Sequence, residues 1–532
     1  MKHSPDSPRC GCSCCAAAAR LDHSGELIPD PGRRQFLYRV GALTAGGLAL
    51  PAGMVSAAAA GGEAAVQGPR PGAPLRVQPV FTYSVPQRRE ATSWREWGGI
   101  QTEADASAEQ ERIRGELAKL RKQAGFGLEF LPLVAVRNRE QAANLAAGSH
   151  DVLLMYAAGG SGQVLEALTR KDRWNLMFLR HDPGPVYLWY EIVHPRFLRK
   201  TVDEYGQPGM DVHDVVVDHP DDLLWRLRGL YGLKQTLGKR MVAVGGPSGW
   251  AAGGRKAPEI ARTVWRMDLQ DYPYADLGRR LKAARADAAL VRRSAEQARR
   301  YLGGARTTLE TSRAFVDNAF VLLEVFKDIL REAGTDAITI NSCMGTIMPM
   351  SETTACLPLS LLNDEGFLAF CESDFVVIPS GVLLHYIAGT PVFLNDPTYP
   401  HRDVVTLAHC TAPRRMDGRR AERARIMTHF ESDYGAAPKV EMRLGQRVTN
   451  LVPDFNCKQW VGFEGTIVAN PFLDICRSQI DVRVHGNTTA LLEEMKGFHW
   501  MTCYGSYLRE TGYALRKIGV DLRNVSSEPR PA

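Results

Sequence analysis

Two acidic turns follow apolar runs in the last third of the 532-residue chain: residues 367–371 lead into Glu372-Ser373-Asp374, and residues 391–394 into Asn395-Asp396. Glu372 and Asp396 are 24 residues apart, with a helix-like stretch over 382–387 and the capping residue Gly389 between them. Ligands of open α/β sheets gather at the carboxyl ends of strands. If the two apolar runs are neighbouring strands, the acids converge on one cleft. Such a pair suits a hard divalent cation, or a general acid and base. Taken singly, each acid also fits as a turn or helix-cap residue making local hydrogen bonds.

Imidazoles crowd the same region: His385, His401, His409, His429, His485 and His499 all fall in the last third. His499, between Phe498 and Trp500, taken alone reads as a packed or surface histidine ahead of a ligand. Oxygen ligands joined by one imidazole favour manganese, with magnesium, cobalt or iron as alternatives, over a structural zinc. The chain has no H-E-x-x-H, G-x-S-x-G or P-loop spacing, so metallopeptidase, α/β-hydrolase and nucleotide-hydrolase readings lose their usual support.

The elements that must hold these groups alternate between strand and helix. Strands are expected over 76–83 (interrupted by Pro79), 128–134, 151–156 and 174–180, and helices over 105–122, 140–147 and 164–170. That alternation predicts a parallel sheet covered on both faces. The glycine-rich loop 157–162 lacks the G-x-G-x-x-G spacing of a dinucleotide site. A second unit follows, with a helix over 221–238, a strand over 240–244 feeding Gly245-Gly246-Pro247-Ser248-Gly249-Trp250, an Arg/Ala-rich helical stretch over 274–300, a helix over 308–333 and a strand over 336–340. Beyond residue 390, short β-branched runs at 439–444, 447–451, 460–467 and 480–484 are separated by Gly, Asn and Asp turns. The expected fold class is α/β: two open parallel-sheet α/β domains, 76–237 and 238–388, followed by a β-rich C-terminal domain, 389–532.

Composition excludes several classes. With 45% apolar and 23% charged residues, the chain is neither disordered nor collagenous nor a coiled coil. A net charge of +6 spread over this length gives no concentrated basic surface, and no nucleic-acid partner is expected. The first sixty residues read as an address. Arg33-Arg34-Gln35-Phe36-Leu37 precedes a mild apolar run over 40–50, Pro51 breaks it, and 56–60 offers a small-residue cleavage pattern. This is a twin-arginine signal over 1–60, followed by a Gly/Ala/Pro-rich linker over 61–75. The run of about 11 residues is well short of the roughly 20 that span a bilayer. No Cys stands at the end of the run, where a lipid would be attached, so no membrane anchor is expected. The twin-arginine translocation machinery would deliver the protein to the periplasm or beyond. Of 11 cysteines, four (Cys10, Cys12, Cys14, Cys15) precede the apolar run and seven lie after residue 342, with no C-x-x-C spacing among those seven. Free, mostly buried thiols are expected rather than a disulfide framework.

Several stretches together resemble the L-fucose isomerase family. They are Cys343-Met344-Gly345, Thr354-Ala355-Cys356-Leu357-Pro358, Leu362-Asn363-Asp364-Glu365-Gly366 running on to Cys371-Glu372-Ser373-Asp374, and Gly389-Thr390-Pro391-Val392-Phe393-Leu394-Asn395-Asp396. Leu407-Ala408-His409-Cys410 and Gly497-Phe498-His499 extend the likeness, which covers residues 335–505. The resemblance implies that Glu372, Asp396 and His499 are the ligands of a Mn²⁺ ion, and that subunits associate as trimers or hexamers. It also implies an aldose–ketose isomerase, in which the ion holds the hydroxyl and carbonyl oxygens of an open-chain monosaccharide. Protons then pass between C1 and C2 through an ene-diolate, with Glu372 as the base and Asp396 binding metal or relaying a proton, or with these roles exchanged. A proton beside a carbonyl is too weakly acidic for a free carboxylate, so charge developing on oxygen must be borne by a cation. Residues 61–335 carry no motif of the family, so fucose itself is not implied. Two other functions fit the same residues. One is an exported carbohydrate-binding or carbohydrate-processing protein that keeps the fold with lost or altered catalysis. The other is a lyase or epimerase that returns the proton elsewhere.

Overall fold

Leu75–Thr82 (β1) is buried at every position but Arg76, as a strand with neighbours on both edges must be. In the computed structural model, which describes residues 72–188, 193, 198 and 209–527, β1 is the centre of the first sheet. The expected signal over 1–60 lies outside the described residues. Leu128–Phe130 (β2) and Val134–Val136 (β3) share one edge of β1, and Val152–Ala157 (β4), Trp174–Leu179 (β5) and Val215–Val217 (β6) extend from the other, all parallel. The single strand expected over 128–134 is thus two. Pro79 falls between the two registers, where the lost N–H removes no ladder bond, and the Gln78 amide bridges the break to Pro132 O at 2.8 Å.

Arg240–Val244 (β7) and Asp268–Tyr272 (β8) begin a second parallel sheet. Thr307–Glu310 (β9) leaves it, and Ala337–Ile340 (β10) and Leu368–Phe370 (β11) complete it in the order β11-β10-β7-β8. The helix expected over 308–333 starts later, at Arg313, where Ser312 caps it. The residues ahead of that cap form β9. The helix Asp221–Thr236 crosses behind these layers against the helices Ile378–Ala388 and Leu508–Arg516. Its glycines permit the approach, because a Cβ on Gly229 would stand 2.6 Å from Glu510 O and one on Gly232 would stand 2.4 Å from Ile387 Cγ1.

The C-terminal third is a closed barrel. Phe393–Pro397 (β12), Val404–His409 (β13), Arg423–Met427 (β14), Ala437–Glu441 (β15), Arg447–Val452 (β16), Gln459–Ala469 (β17), Ser478–Val484 (β18), Trp500–Tyr504 (β19) and Asp521–Asn524 (β20) follow in order. Six of them close antiparallel in the cycle β12-β13-β18-β17-β16-β19. Closure leaves no unpaired edge in the cycle. Strand β20 adds parallel to β17, and β9, β14 and β15 form a separate three-stranded ribbon. The β-rich character expected of this region is present, and its closure is the new feature. The runs ending near Glu372 and Asp396 are not neighbours in one sheet: β11 belongs to the second parallel sheet and β12 to the barrel. Asp396 also lies inside its strand rather than beyond it. Among the described residues no helix is long and apolar enough to cross a membrane.

His385, in the helix Ile378–Ala388, is 2% exposed, and burial pushes its pKa down to about 4, with Lys239 adding to the effect and Asp336 opposing it. The unfolded chain therefore takes up a proton that the folded chain refuses as pH falls from 6.5 towards 4, and stability is lost over that window. Urea unfolding at pH 7 and pH 4.5 should show His385→Leu losing about 2–3 kcal/mol less than wild type on acidification. Equal losses in the two proteins would rule out His385 as a source of acid sensitivity.

Candidate metal centre

Two loops and two strand registers bring the expected ligands together. β11 ends at Phe370, and the chain then turns through Glu372 (φ 64°) and Ser373 (φ 47°), two consecutive non-glycine residues in the left-handed region. Each costs about 1–3 kcal/mol and persists only where its surroundings dictate it. Here the loop after β7 does so. Ser248 N–H donates to Ser373 O (3.1 Å), Phe375 N–H donates to Ser248 O (3.0 Å), and Asp374 Oδ1 accepts from Val376 N–H (3.0 Å) and Trp250 N–H (3.3 Å). The glycine-rich stretch 245–250 is therefore a clamp on the acidic turn.

Barrel register supplies the rest. Asn395 of β12 pairs with Trp500 of β19, so the next residue along β12, Asp396, faces the preceding one on the other strand, His499. Asp396 also pairs with Ala408, which brings the end of β13, and His409, alongside. The result joins residues from two sheets. His499 Nε2 lies 3.2 Å from Glu372 Oε2 and 3.3 Å from Asp396 Oδ1, while His499 Nδ1 donates to Asp374 Oδ2 at 2.8 Å. His499 and Asp374 are buried, and Glu372 and Asp396 keep 21% and 29% of their side chains exposed, so the cluster opens to solvent on the carboxylate side. Trp250 stacks on Phe498 at 3.8 Å, and the Phe498 ring meets the His499 ring edge-on at 4.8 Å.

Both expected acids thus meet the expected imidazole, and His409, named from the sequence but given no role in the site, joins them. Its Nε2 lies 3.7 Å from Glu372 Oε1, and with Asp396 and His499 it forms a group whose ligand atoms all fall within 4.8 Å. Besides its place in the run Leu407-Ala408-His409-Cys410, its sequence signal is the alternation Val405, Leu407, His409, an imidazole ending a buried strand row.

The donor set fits a cation. Asp396 Oδ1 and His499 Nε2 are both buried and make no well-aligned hydrogen bond, although each faces the other at 3.3 Å. Donor atoms about 2.0–2.3 Å from a common centre lie about 3 Å apart, close to the 3.2 and 3.3 Å that separate His499 Nε2 from Glu372 Oε2 and Asp396 Oδ1. The carboxylate on Nδ1 fixes the tautomer that turns the Nε2 lone pair towards such a centre. Electrostatics separate the two acids. Burial pushes Glu372 up, but His499 and His409 together outweigh it and hold the carboxyl well below the usual range. Burial raises Asp396, and the same imidazoles offset this only in part. For His499, burial favours the neutral ring, yet Glu372, Asp396 and the bond to Asp374 together lift its pKa well above the ordinary value.

No protein-family model matches the chain, and no curated protein matches it.

Two outcomes follow. His499 holds its proton when no cation is bound, so a metal ion must displace that proton and apparent Mn²⁺ affinity should rise roughly tenfold per pH unit between pH 6 and 7. Calorimetry in buffers of different ionisation heat reads the released proton, and pH-independent binding without release would contradict it. Asp374→Asn can set an amide N–H against Nδ1 and drive the ring proton to Nε2. Mn²⁺ affinity should fall about 10–100-fold with circular dichroism unchanged, and unaltered affinity would remove Asp374 from the site.

Proposed function

We propose that the chain is a divergent, exported relative of the L-fucose isomerase family and acts as a metal-dependent aldose–ketose isomerase on an open-chain monosaccharide. The observation that carries this reading is His499 Nε2 lying 3.2 Å from Glu372 Oε2 and 3.3 Å from Asp396 Oδ1, so that one imidazole bridges the two acids. Those are the residues that the resemblance singles out, and they come from three separate segments.

Glu372, Asp396 and His499 would hold Mn²⁺, with His409 beside them. The ion supplies Lewis acidity, bearing the charge that develops on the sugar oxygens as a proton leaves carbon. Glu372 takes the C2 proton and returns it at C1, while the hydroxyl proton at O2 is transferred to O1 with the help of Asp396. Aldehyde and secondary alcohol thereby become primary alcohol and ketone with no net gain or loss of protons. Asp374 keeps His499 in one orientation through this exchange, and Phe498, stacked on Trp250, packs edge-on against the imidazole. The proposal includes the three-part division near residues 237 and 388, a trimeric or hexameric assembly, and a twin-arginine signal removed near residue 60.

The test is elemental analysis of the purified mature chain beside proton exchange at C2 of a panel of aldoses in heavy water. One Mn²⁺ per chain at this site and exchange into at least one aldose are expected. Glu372→Gln keeps the size and removes the charge, so it should abolish exchange and weaken Mn²⁺ binding at least tenfold while the fold survives. Stoichiometric Mn²⁺ with no exchange on any sugar would shift the reading to a carbohydrate-binding protein that retains the ion. No bound divalent ion would remove the isomerase reading.

A further inference from the structure

A second donor cluster shares no residue with the first. Cys356 opens the helix Cys356–Asp364, Cys410 is the first residue beyond β13, His429 lies two residues past β14, and Cys476 lies two residues ahead of β18. The ligand atoms of Cys356, Cys410 and His429 all fall within 4.8 Å of one another, and the Cys410 thiol is hydrogen-bonded to both Cys356 and Cys476. Cys356, Cys410 and His429 are 3%, 2% and 4% exposed, and Cys476 is half-buried at the edge of the group. None of the three thiols is in a disulfide. His429 Nδ1 is buried with no hydrogen-bond partner, which is an independent sign that the ring is aimed at a missing neighbour.

We propose that Cys356, Cys410, Cys476 and His429 form a structural Zn²⁺ site. Three thiolates and one imidazole are a preferred tetrahedral set for zinc, and the softness of sulfur separates this site from the oxygen-rich one nearby. Tetrahedral bonds of about 2.3 Å to sulfur and about 2.0–2.1 Å to nitrogen hold donor atoms about 3.5–3.8 Å apart, within the 4.8 Å that groups Cys356, Cys410 and His429, and Cys476 beside Cys410 is the fourth donor. The segments that carry the ligands are already braced. Thr354 Oγ1 donates to Ala436 O (2.8 Å) beside Cys356, Arg477 Nε donates to Thr428 O (2.8 Å) between the segments of Cys476 and His429, and Ser478 Oγ donates to Pro438 O (2.7 Å). Four segments spread over 120 residues are thus tied at one point, where the helix Cys356–Asp364, the barrel and the β9-β14-β15 ribbon meet. Cys410 follows His409 directly, so a cation there also anchors the end of β13 beside the first site.

Cobalt(II) added to the full mature chain is the probe, since thiolate ligation gives a near-ultraviolet charge-transfer band and a tetrahedral field gives intense visible bands. Wild type should show both at one equivalent, and so should Glu372→Gln, which leaves this cluster intact whatever becomes of the isomerase reading. Cys410→Ser and His429→Ala should lose the tetrahedral spectrum. Cys476→Ser should lose about a third of the charge-transfer intensity, one thiolate of three. Zinc should be present at one equivalent in protein purified without chelator. A folded wild-type chain with neither the charge-transfer band nor zinc would overturn the proposal, as would a disulfide between any two of the three cysteines found by mass spectrometry.

Discussion

The contact on which the centre depends is the single imidazole of His499, bonded through Nδ1 to Asp374 and presented through Nε2 to Glu372 and Asp396. A buried ring between three carboxylates is stable only if a positive charge resides among them. In the protein alone that charge is a proton on His499, and a divalent cation can take its place by displacing it. The same arrangement explains why the carboxylates differ. Glu372 faces two imidazoles and is held ionised, whereas Asp396 is governed more by its own burial.

Geometry of this kind cannot be assembled by one sheet. Glu372 and Asp374 leave the carboxyl end of a parallel strand, in the position where open α/β sheets place their ligands. Asp396, His409 and His499 belong to an antiparallel barrel whose closure fixes the register of β12 against both β13 and β19. A one-residue slip in either pairing would turn Asp396 to the opposite face and dissolve the cluster. The left-handed pair Glu372-Ser373 sits at the seam between the two architectures, and its strain is held by the clamp from residues 248–250. Local strain of this order is tolerable because the burial around it is extensive on both sides.

Much of this is legible in the chain. Apolar runs ending in acids marked Glu372 and Asp396, and the alternation of runs and helical stretches located β1, β4, β5, β7 and β10 to within a residue or two. Strands with few apolar residues were not legible. Asp268–Tyr272 is an edge strand with no buried position, and Thr307–Glu310 is a polar, mostly exposed strand that merges in sequence with the helix behind it. Their strand character comes from partners far away in the chain, to which a hydrophobic pattern is blind. Barrel closure has the same origin, since the pairing of β16 with both β17 and β19 is tertiary information. His409 was named in the sequence but given no role, because a lone imidazole at a strand end carries no spacing rule. Only the register opposite Asp396 makes it part of the site.

Anomalous diffraction at the manganese edge from crystals of the mature chain soaked in Mn²⁺ tests the central claim most directly. Convergence on one cation predicts a single peak at about 2.0–2.3 Å from Glu372, Asp396 and His499 Nε2, with His499 Nδ1 still bonded to Asp374. A peak elsewhere, or His499 Nε2 hydrogen-bonded to a carboxylate with no anomalous density between them, would contradict it.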